Sequence, residues 1–561
     1  MRVEGLTYYE VKKFNTIKEM INLAVEEAGE NIAFEYKDKV TKEVVKVKYK
    51  EFQEDIYALG TALSTINMAD KHIAVIGENS YNWITVYLTA LQSNGVFVPI
   101  DKELTFDEMV YILNNSDSEV LFFSEKYEKY LNDLHNALPN IKYFIGFDQE
   151  DKDDENILSY KTFMEKGKEE LQKGNKKFVN INHENTNILK MLVYTSGTTG
   201  VAKGVMLSEH NLVSSVYYGL QVSTVYTKCL SVLPYHHTYE AVSGLLVAMH
   251  KHVTICINDS LKNVLKNLQL YRPDYIYLVP AFAEVFYKNI WSNAEKSGKA
   301  TGLKILIVLS NFLRKIGIDK RKVFFKSIHE AFGGNLRKIV AGGAPIRTEI
   351  GSFFNSIGMP LIAGYGITEC SPLVSVNMDN FNDPSTAGTV LPCAEIKFEN
   401  VNDNGDGEIC VKGDIVMMGY YKDPEKTNRV LKDGWFNTED YGRFNDKKQL
   451  IINGRKKNII VLKNGKNVYP EEIENYIYKI PYVADAVVKA DKNSSGEEVG
   501  LCAEVFLNKE KVDELKFDNV EEQLKKDISK ITKELPVYKH IARVEIRDKE
   551  FEKTTTNKIK R

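Results

Sequence analysis

Residues 194–204, with the sequence YTSGTTGVAKG, combine the residue types that bind phosphate. Glycines let backbone N–H groups turn toward an anion, the Ser and Thr hydroxyls donate further hydrogen bonds, and Lys203 adds a positive charge. The apolar run from Met191 to Tyr194 predicts a buried strand immediately before this segment. A strand that ends in such residues favours a phosphate-binding loop over the alternative, which is a flexible surface turn.

The segment differs from the P-loop, whose pattern is G-x-x-x-x-G-K-S/T. Five residues after Gly197 stands Ala202, and Gly204 follows Lys203, so no hydroxyl lies beside the lysine to hold magnesium. The continuation VMLSEHNL predicts a strand and then a helix, with Ser208 as the helix N-cap. In these respects the segment resembles the signature loop of the AMP-forming acyl-CoA synthetases, which are adenylate-forming ligases.

The bulk properties indicate a large globular protein. The 561 residues predict several lobes, and 43% hydrophobic with 27% charged residues is typical of soluble domains. A net charge of −3 gives no general attraction to nucleic acid, so we expect no nucleic-acid partner. The six cysteines include no C-x-x-C pair, which favours a reducing compartment over a metal or disulfide framework. Since no signal peptide or membrane-spanning segment is evident, we expect a cytoplasmic protein, or one peripheral to a membrane.

The order of the predicted elements indicates an α/β fold. Residues 71–80 and 119–127 predict strands, and 83–101 predicts an apolar helix that leads into a further strand. This repeating strand–helix order predicts a parallel sheet, whereas the charged residues 148–182 predict a solvated surface segment. Segments 232–257 and 274–290 predict two further β/α units. We expect a large N-terminal adenylation domain at 1–454, built of stacked β/α subdomains with a small β-roll-like part at about 385–454. A small, mobile α+β C-terminal domain follows at 455–561, opened by a helix that starts at Pro470.

Two further segments resemble parts of the same family, in the same order along the chain. LPYHHTYE (233–240) resembles the segment that places a histidine near the acyl and phosphate groups, and His237 matches that position better than His236. Taken alone, the two histidines equally suit the cap of a turn. AGGAP (341–345) resembles the loop along the adenine ring, which implies backbone contacts from Gly343 and Ala344.

GYGITEC (364–370) resembles the segment that holds the triphosphate and its magnesium. The resemblance implies that Tyr365 stacks on adenine beside Gly366, and that Thr368 and Glu369 face the phosphates and Mg²⁺. A carboxylate suits this hard cation. From the signature loop the resemblance adds nucleotide contacts from Thr195, Ser196, Gly197, Thr198, Thr199 and Lys203, with Thr198 as a second metal ligand.

Five positions nearer the C-terminus complete the resemblance. Asp440 and Arg455 match the residues that bind the ribose hydroxyls and phosphate, and Lys457 matches the interdomain hinge. The loop 463–466, with Gly465, resembles the lining of the coenzyme A tunnel. Lys558, in FEKTTTNKIKR, resembles the catalytic lysine, although Glu552 and Asn557 replace the family's usual Pro and Gly. The alternative interpretation of this tail is a frayed basic terminus.

The resemblance implies ATP-dependent ligation of a carboxylic acid to coenzyme A through acyl-AMP, with Mg²⁺, ATP and coenzyme A as the small-molecule requirements. Details of LPxxHxxE and of the long region 285–335 favour a medium- or long-chain fatty acid. Two alternatives remain within the enzymes, namely loading of a carrier-protein phosphopantetheine and ligation of an aryl or other acid. A non-catalytic acyl- or nucleotide-binding protein is the alternative from another class.

One segment of that region suggests a partner besides the substrates. Residues 303–322 join an apolar stretch to five basic residues, which favours peripheral membrane contact as much as an ordinary packed helix with a solvated end. The sequence gives no indication of the oligomeric state.

Overall fold

The chain forms two compact units. The structure is a computed structural model that describes residues 5–150, 156–195, 202–403, 405–462, 467–492, 498–533, 535–553 and 559. The first unit comprises Met1–Glu395 and Val411–Phe436, and the second comprises Ile396–Cys410 and Asn437–Arg561. The units thus divide the β-rich region, and the domain boundary at 454/455 stays a prediction.

The first unit contains two large sheets, and the α/β class expected from the sequence is confirmed. One sheet has nine strands, in the order β16 (Thr389–Val390), β15 (Leu373–Val376), β14 (Leu361–Gly366), β13 (Lys338–Ala341), β12 (Tyr275–Leu278), β10 (Lys228–Ser231), β11 (Thr254–Ile257), β1 (Ile32–Lys37) and β2 (Val44–Lys48). The run from β14 to β1 is parallel, as the alternating pattern predicted, and antiparallel strands close both ends.

The other sheet has eight strands and contains the segment that precedes the signature loop. Its order is β19 (Gly419–Tyr420), β9 (Lys203–Ser208), β8 (Leu189–Thr195), β4 (Val96–Ile100), β3 (His72–Ile76), β5 (Ser118–Phe123), β6 (Tyr143–Gly146) and β7 (Ile157–Ser159). The strands from β8 to β7 are parallel, and β9 and β19 are antiparallel to their neighbours. The predicted strands at 71–80 and 119–127 are therefore β3 and β5, and the helix and strand predicted at 83–101 are α3 (Tyr81–Gln92) and β4.

Fifteen α-helices accompany these sheets in the described part of the first unit: α1 (Ile17–Ala28), α2 (Tyr49–Thr65), α3 (Tyr81–Gln92), α4 (Phe106–Asn115), α5 (Leu131–Ala137), α6 (Tyr160–Gln172), α7 (Glu209–Val222), α8 (Val247–His250), α9 (Val264–Tyr271), α10 (Pro280–Lys296), α11 (Ala300–Lys315), α12 (Arg321–Phe324), α13 (Lys326–Ala331), α14 (Thr348–Ile357) and α15 (Pro424–Val430). Several of these helices have a Ser or Thr side chain as their N-cap. Ser208 accepts a hydrogen bond from the Asn211 N–H at 3.1 Å, which confirms it as the N-cap of α7.

Shorter turns complete the helical segments. A π-helix spans Tyr239–Leu246, and 3₁₀ turns span Glu125–Tyr130, Leu261–Asn263, Thr368–Cys370, Lys456–Asn458 and Val537–Lys539. The predicted turn, helix and strand at 232–257 correspond to the π-helix, α8 and β11. The strand, proline turn and helix at 274–290 correspond to β12 and α10.

The prediction of a solvated segment at 148–182 is wrong for its central part. Residues 157–159 form β7, and 160–172 form α6, whose Phe163 and Met164 are buried. At Gly167 the helix runs so close to α2 that a Cβ atom would lie 2.0 Å from the Ala58 carbonyl oxygen. The abundant charged residues occupy the outer face of α6, and its apolar face packs on α2. In the sequence, the high charged content obscured this apolar pattern.

The second unit is smaller and has its own core. A five-stranded sheet in the β-rich region has the order β17 (Ala394–Glu399), β18 (Gly407–Gly413), β21 (Trp435–Phe444) and β20 (Leu431–Lys432), with β22 (Leu450–Arg455) paired to β21. Of this sheet, β22 and most of β17 and β21 belong to the second unit, and β20 belongs to the first. The second unit's other sheets are the pair β23 (Ile460–Val461) and β24 (Asn467–Val468), and the three strands β25 (Val483–Lys492), β26 (Glu498–Leu507) and β27 (Arg543–Arg547). Its helices are α16 (Pro470–Ile477), α17 (Lys509–Leu515) and α18 (Val520–Ile531).

The start of α16 agrees with the prediction. Pro470 occupies the first turn, and Glu471 and Glu472 follow it there, where acidic groups meet the positive end of the helix dipole. Ile473 and Ile477 of this helix are buried against Val488 and Leu501 of the three-stranded sheet. All six cysteines of the chain are free thiols. Among the described residues, no helix combines the length and apolarity needed to cross a membrane.

Candidate active site

Four of the segments singled out in the sequence follow neighbouring parallel strands of the nine-stranded sheet. LPYHHTYE follows β10, the proline turn follows β12, AGGAP follows β13, and GYGITEC begins within β14. The carboxyl ends of parallel strands meet at one edge of a sheet, where α/β proteins bind their ligands. The topology therefore brings these segments together at one edge, although 123 residues, 241–363, separate the first from the last.

Glycine is required at two positions of the predicted adenine-binding segments. Gly343 has φ = +84°, a conformation that side chains other than glycine rarely adopt. At Gly366 a Cβ atom would lie 2.2 Å from the Pro372 carbonyl oxygen. Ala344 follows Gly343, and Tyr365 precedes Gly366 with its side chain largely buried. Gly343 is thus exposed at the sheet edge, whereas glycine is needed at Gly366 because the backbone at Pro372 approaches it closely.

The signature segment joins two antiparallel strands. Thr195 at the end of β8 pairs with Lys203 at the start of β9, so these two residues stand at the base of the connecting segment. The Thr195 hydroxyl is buried and has no hydrogen-bond partner among the described residues. A buried, unpartnered hydroxyl costs free energy unless a ligand or water satisfies it. Ser196, Gly197, Thr198 and Thr199 lie outside the described residues.

Lys203, Glu369 and Tyr420 form a polar cluster beside this segment. The Lys203 Nζ lies 3.0 Å from Glu369 Oε1 and donates a hydrogen bond to the Tyr420 hydroxyl at 2.7 Å. That hydroxyl in turn donates to Glu369 Oε1 at 2.9 Å, and the ammonium group lies 4.5 Å from the centre of the Tyr420 ring. We call these three residues the phosphate-side cluster. It unites Lys203 and Glu369, which the sequence predicted separately.

Tyr420 was missed in the sequence. It reaches the cluster because β19 pairs with β9, which sets Tyr420 opposite Val205 and Gly419 opposite Met206. The backbone N–H of Met417 also bonds to the Glu369 carbonyl at 2.9 Å. The sequence offers one local indication, the GYYKDPE turn with its helix start at Pro424, but no indication of the partners.

The carboxylate of the phosphate-side cluster suits a magnesium ion that ATP brings with it. The described residues contain no group of three or more His, Cys, Asp or Glu side chains that could enclose a metal by themselves. Mg²⁺ in nucleotide sites takes one or two protein carboxylates and completes its shell with phosphate oxygens and water. Glu369, largely buried beside the signature segment, fits that role. Thr368 begins the same 3₁₀ turn.

The two histidines of LPYHHTYE have different surroundings. His236 is buried, and its Nε2 lies 3.4 Å from Asp101 Oδ2, at the end of β4. Burial raises the pKa of Asp101, but the nearby His236 ring outweighs burial and lowers that pKa to about 2. His237 is only partly buried, and its ring centre lies 4.3 Å from that of His236. Asp101 thus anchors His236 and leaves His237 as the more accessible of the two.

Glu240 of the same segment lies inside the protein. It belongs to the π-helix Tyr239–Leu246, a rare geometry that often marks functional sites. Burial raises the pKa of its carboxyl group to about 8, against a weaker opposing effect of the Ser231 hydroxyl, which donates a hydrogen bond to Oε1. Oε2 has no hydrogen-bond partner among the described residues. This carboxyl group is therefore protonated at neutral pH.

In the second unit the two predicted ribose ligands lie side by side. Asp440 on β21 stands directly opposite Arg455 on β22, and Arg455 Nε lies 3.2 Å from Asp440 Oδ1. Asp440 is buried, whereas about half of the Arg455 side chain is exposed. A carboxylate held by a neighbouring guanidinium is oriented to accept hydrogen bonds from hydroxyl groups.

The residues beside the predicted hinge are anchored by a buried carboxylate. Lys456 Nζ lies 2.6 Å from Glu408 Oε1, which also accepts a hydrogen bond from Asn400, and Glu408 Oε2 accepts one from Asn437. Burial raises the pKa of Glu408, but Lys456 and the two amides outweigh burial and lower it. Lys457 follows within an exposed 3₁₀ turn. Sequence reasoning missed Glu408, because 48 residues separate it from Lys456.

Two predicted residues besides those at 196–199 cannot be placed. Gly465, with the rest of the segment 463–466, and Lys558 lie outside the described residues. Near Lys558, the backbones of Lys553 and Ile559 form an antiparallel bridge, and Lys553 Nζ lies 2.8 Å from Asp485 Oδ2. The roles of Gly465 and Lys558 stay predictions.

Comparison with known proteins agrees with these observations. Residues 23–421 match the family described as AMP-binding enzyme, and residues 457–561 match the AMP-binding enzyme C-terminal domain. Fatty acyl-CoA synthetase B of Dictyostelium discoideum is 30% identical over 485 residues, which cover 80% of this chain and 70% of that protein. Long-chain-fatty-acid–CoA ligase 5 of Mus musculus is 30% identical over 76% of this chain and 67% of its own length.

Solved structures share the fold at lower identity. The adenylation domain of the carboxylate reductase from Mycobacterium chelonae has a TM-score of 0.78 at 20% identity, covering 98% of this chain and 89% of that domain. A fatty acyl CoA synthetase of Mycobacterium tuberculosis has a TM-score of 0.65 at 20% identity, covering 97% and 96%. The chain therefore belongs to the AMP-binding enzyme family, as an AMP-forming acyl-CoA synthetase.

Proposed function

We propose that the protein ligates a medium- or long-chain fatty acid to coenzyme A in two steps, first forming acyl-AMP and pyrophosphate from Mg·ATP and then releasing AMP. The phosphate-side cluster carries the first step of this proposal. It sets a cation, a carboxylate and a phenol within 3.0 Å of one another beside a Ser/Thr-rich connection, an arrangement suited to polyphosphate and its metal ion. The fatty-acid assignment rests on relatives named as fatty acyl- or long-chain-fatty-acid–CoA ligases.

In the first step, the carboxylate of the acid attacks the α-phosphorus of ATP, the bond to the β,γ-diphosphate breaks, and pyrophosphate leaves. Lys203, Thr195 and the serine and threonines at 196–199 bind the departing phosphates, and Glu369 with Thr198 and Thr368 faces the magnesium ion. The ion supplies neutralisation of phosphate charge when it is bound. Asp440 and Arg455 bind the ribose, Tyr365 with Gly343, Ala344 and Gly366 binds adenine, and Lys558 neutralises charge that builds on the reacting oxygens.

In the second step, the thiolate of coenzyme A attacks the acyl carbonyl, and AMP leaves. We propose that the C-terminal domain turns about Lys457 between the steps, so that Lys558 withdraws and the loop containing Gly465 lines the thiol path. His237 lies at the sheet edge beside the reacting carbonyl in this scheme. Such a reaction depends on positioning and electrostatics rather than on a covalent enzyme intermediate.

A panel of acids tests the proposal. The purified protein is incubated with Mg·ATP and either saturated acids of increasing chain length or benzoate, and AMP release is measured with and without coenzyme A. We expect release that requires coenzyme A and increases from short to long chains. Stable acyl-AMP with no thiol-dependent turnover would overturn the coenzyme A assignment and favour transfer to a carrier protein, whereas a preference for benzoate would overturn the fatty-acid assignment.

A further inference from the structure

The exposed apolar side chains of the chain are concentrated in one short stretch. Of the 19 large hydrophobic residues that are exposed among those described, seven lie between 305 and 323. They are Ile305, Val308, Leu309, Phe312, Ile316, Ile318 and Val323, and their exposed fractions run from 42% to 70%. Single exposed apolar residues need no explanation, but a contiguous group marks an interaction surface.

The group follows one face of α11 and continues just beyond it. Ile305, Val308, Leu309, Phe312 and Ile316 recur at the spacing that aligns side chains along a helix. On the opposite face, Leu303 and Ser310 are buried, and Leu306 and Ile307 pack against the first unit's core. The inner face already anchors the helix, and the outer residues remain exposed among the residues that the structure describes. We call the seven exposed residues the α11 face.

Basic residues surround this face. Between 296 and 326 the sequence has nine Lys or Arg residues and a single acidic one, Asp319, which pairs with Arg321 at 2.6 Å. On the helix, Lys304 and Lys315 lie at the same side of the apolar stripe, one at each end. Lys320 and Lys322 are exposed beyond its C-terminus. This local excess of positive charge contrasts with the net charge of −3 for the whole chain.

We propose that the α11 face docks on a lipid bilayer that contains anionic lipids, with α11 parallel to the membrane plane. An apolar stripe bordered by lysines is the pattern of a helix that buries its apolar side among acyl chains and sets its cations among headgroups. The helix remains at the surface, because its other face is part of the core. A second copy of the chain is a poorer partner, because a symmetric contact would bring the same lysines together. The inference goes beyond the proposed function and does not depend on it.

Cosedimentation with vesicles tests the apolar part of the proposal. The full chain is mixed with large vesicles of phosphatidylcholine, alone or with an equal amount of phosphatidylglycerol, and the membrane-bound fraction is measured. We expect Ile305→Ser/Phe312→Ser to bind the mixed vesicles at least tenfold more weakly than the wild type. Val40→Ser/Leu515→Ser removes exposed apolar side chains elsewhere, and it should bind like the wild type.

The charge of the lipid tests the basic part. We expect wild-type binding to depend on phosphatidylglycerol and to weaken as NaCl rises from 50 to 500 mM, by about tenfold or more, because salt screens lysine–phosphate attraction. Lys304→Gln/Lys315→Gln should weaken binding to mixed vesicles about twentyfold. Lys161→Gln/Lys166→Gln, on the exposed side of α6, should leave it unchanged.

Three results would overturn the proposal. One is a wild type that binds neither vesicle, and another is equal binding by the α11-face variants and their controls. The third is a wild-type dimer in light scattering that the serine pair converts to a monomer while vesicle binding stays the same, since the face would then join two copies. Circular dichroism shows whether each variant is folded, and the substitutions are at exposed positions, where such changes cost little stability.

Discussion

The buried carboxyl group of Glu240 makes the stability of the first unit depend on pH in a defined direction. Its pKa is about 8 in the folded protein, against an ordinary value of 4.5, because burial disfavours the charged form. Between these two values the folded chain holds a proton that the unfolded chain has released. Stability is therefore greatest below pH 4.5 as far as this group is concerned, and it is lost as the pH rises toward 8.

The substitution Glu240→Gln preserves the shape of the side chain and removes its titration. From pH 5.5 to 7.5 the linkage of the two pKa values lowers the stability of the wild type by about 2.5 kcal/mol relative to the variant. Gln also keeps an acceptor for the Ser231 hydroxyl, which now bonds to Glu240 Oε1. We therefore expect the free energy of unfolding of the variant, relative to that of the wild type, to increase steadily as the pH rises from 5.5 to 7.5.

Urea unfolding followed by tryptophan fluorescence measures the effect, since Trp83 is buried in the first unit. At each pH the free energy of unfolding of the variant is compared with that of the wild type, because the contributions of the other titrating groups cancel in the difference. Glu43→Gln, at an exposed turn, is the control, and it should differ from the wild type by less than about 0.5 kcal/mol throughout. A Glu240→Gln difference that stays flat or reverses its direction would show that Glu240 is ionised in the folded protein and would refute the reasoning.

Two further predictions concern catalysis. Tyr420→Phe removes the hydroxyl that joins Lys203 to Glu369 but keeps the ring, so acid-dependent exchange of pyrophosphate into ATP should fall about 10- to 100-fold, as expected for hydrogen bonds to charged groups. Tyr421→Phe, whose hydroxyl bonds to Asp117 instead, should change the exchange less than about threefold, and equal effects of the two variants would contradict a role for the cluster. Lys558→Ala should abolish acyl-AMP formation yet spare thioester formation from supplied acyl-AMP. Lys560→Ala is its control on the same tail, and an unchanged first half-reaction in Lys558→Ala would remove that lysine from the mechanism.

The sequence predicted much of the fold because local patterns determine it. The core strands β3, β4, β5 and β12 are short apolar runs bounded by turn residues, and such runs form strands wherever a sheet can bury them. The prediction failed at α6, where the apolar face is narrow and charged residues dominate the composition. What makes α6 pack is the shape of its contact, with Gly167 against the backbone of α2, and composition does not encode shape.

The residues of the candidate site also differ in how far the sequence predicts them. Motifs predicted Lys203, Glu369, Asp440 and Arg455, because the residues next to each of them belong to the same recognisable motif. Tyr420 was not predicted, because its contacts depend on the pairing of β19 with β9, which lie more than two hundred residues apart in the chain. The residues around a tyrosine in the sequence do not indicate which distant residues it contacts. Contacts that arise from strand pairing at long range require the structure.

The insertion between β12 and β13 connects the two proposals physically. Both strands end at the sheet edge where the proposed nucleotide-binding segments meet, and α10 begins there at Pro280 and runs for 17 residues toward α11. Such a helix is about 25 Å long. The α11 face therefore lies on the same connection that begins beside the proposed site. The vesicle assay and the acid panel can nevertheless fail separately, since a short acid needs no bilayer and the α11 face needs no acid.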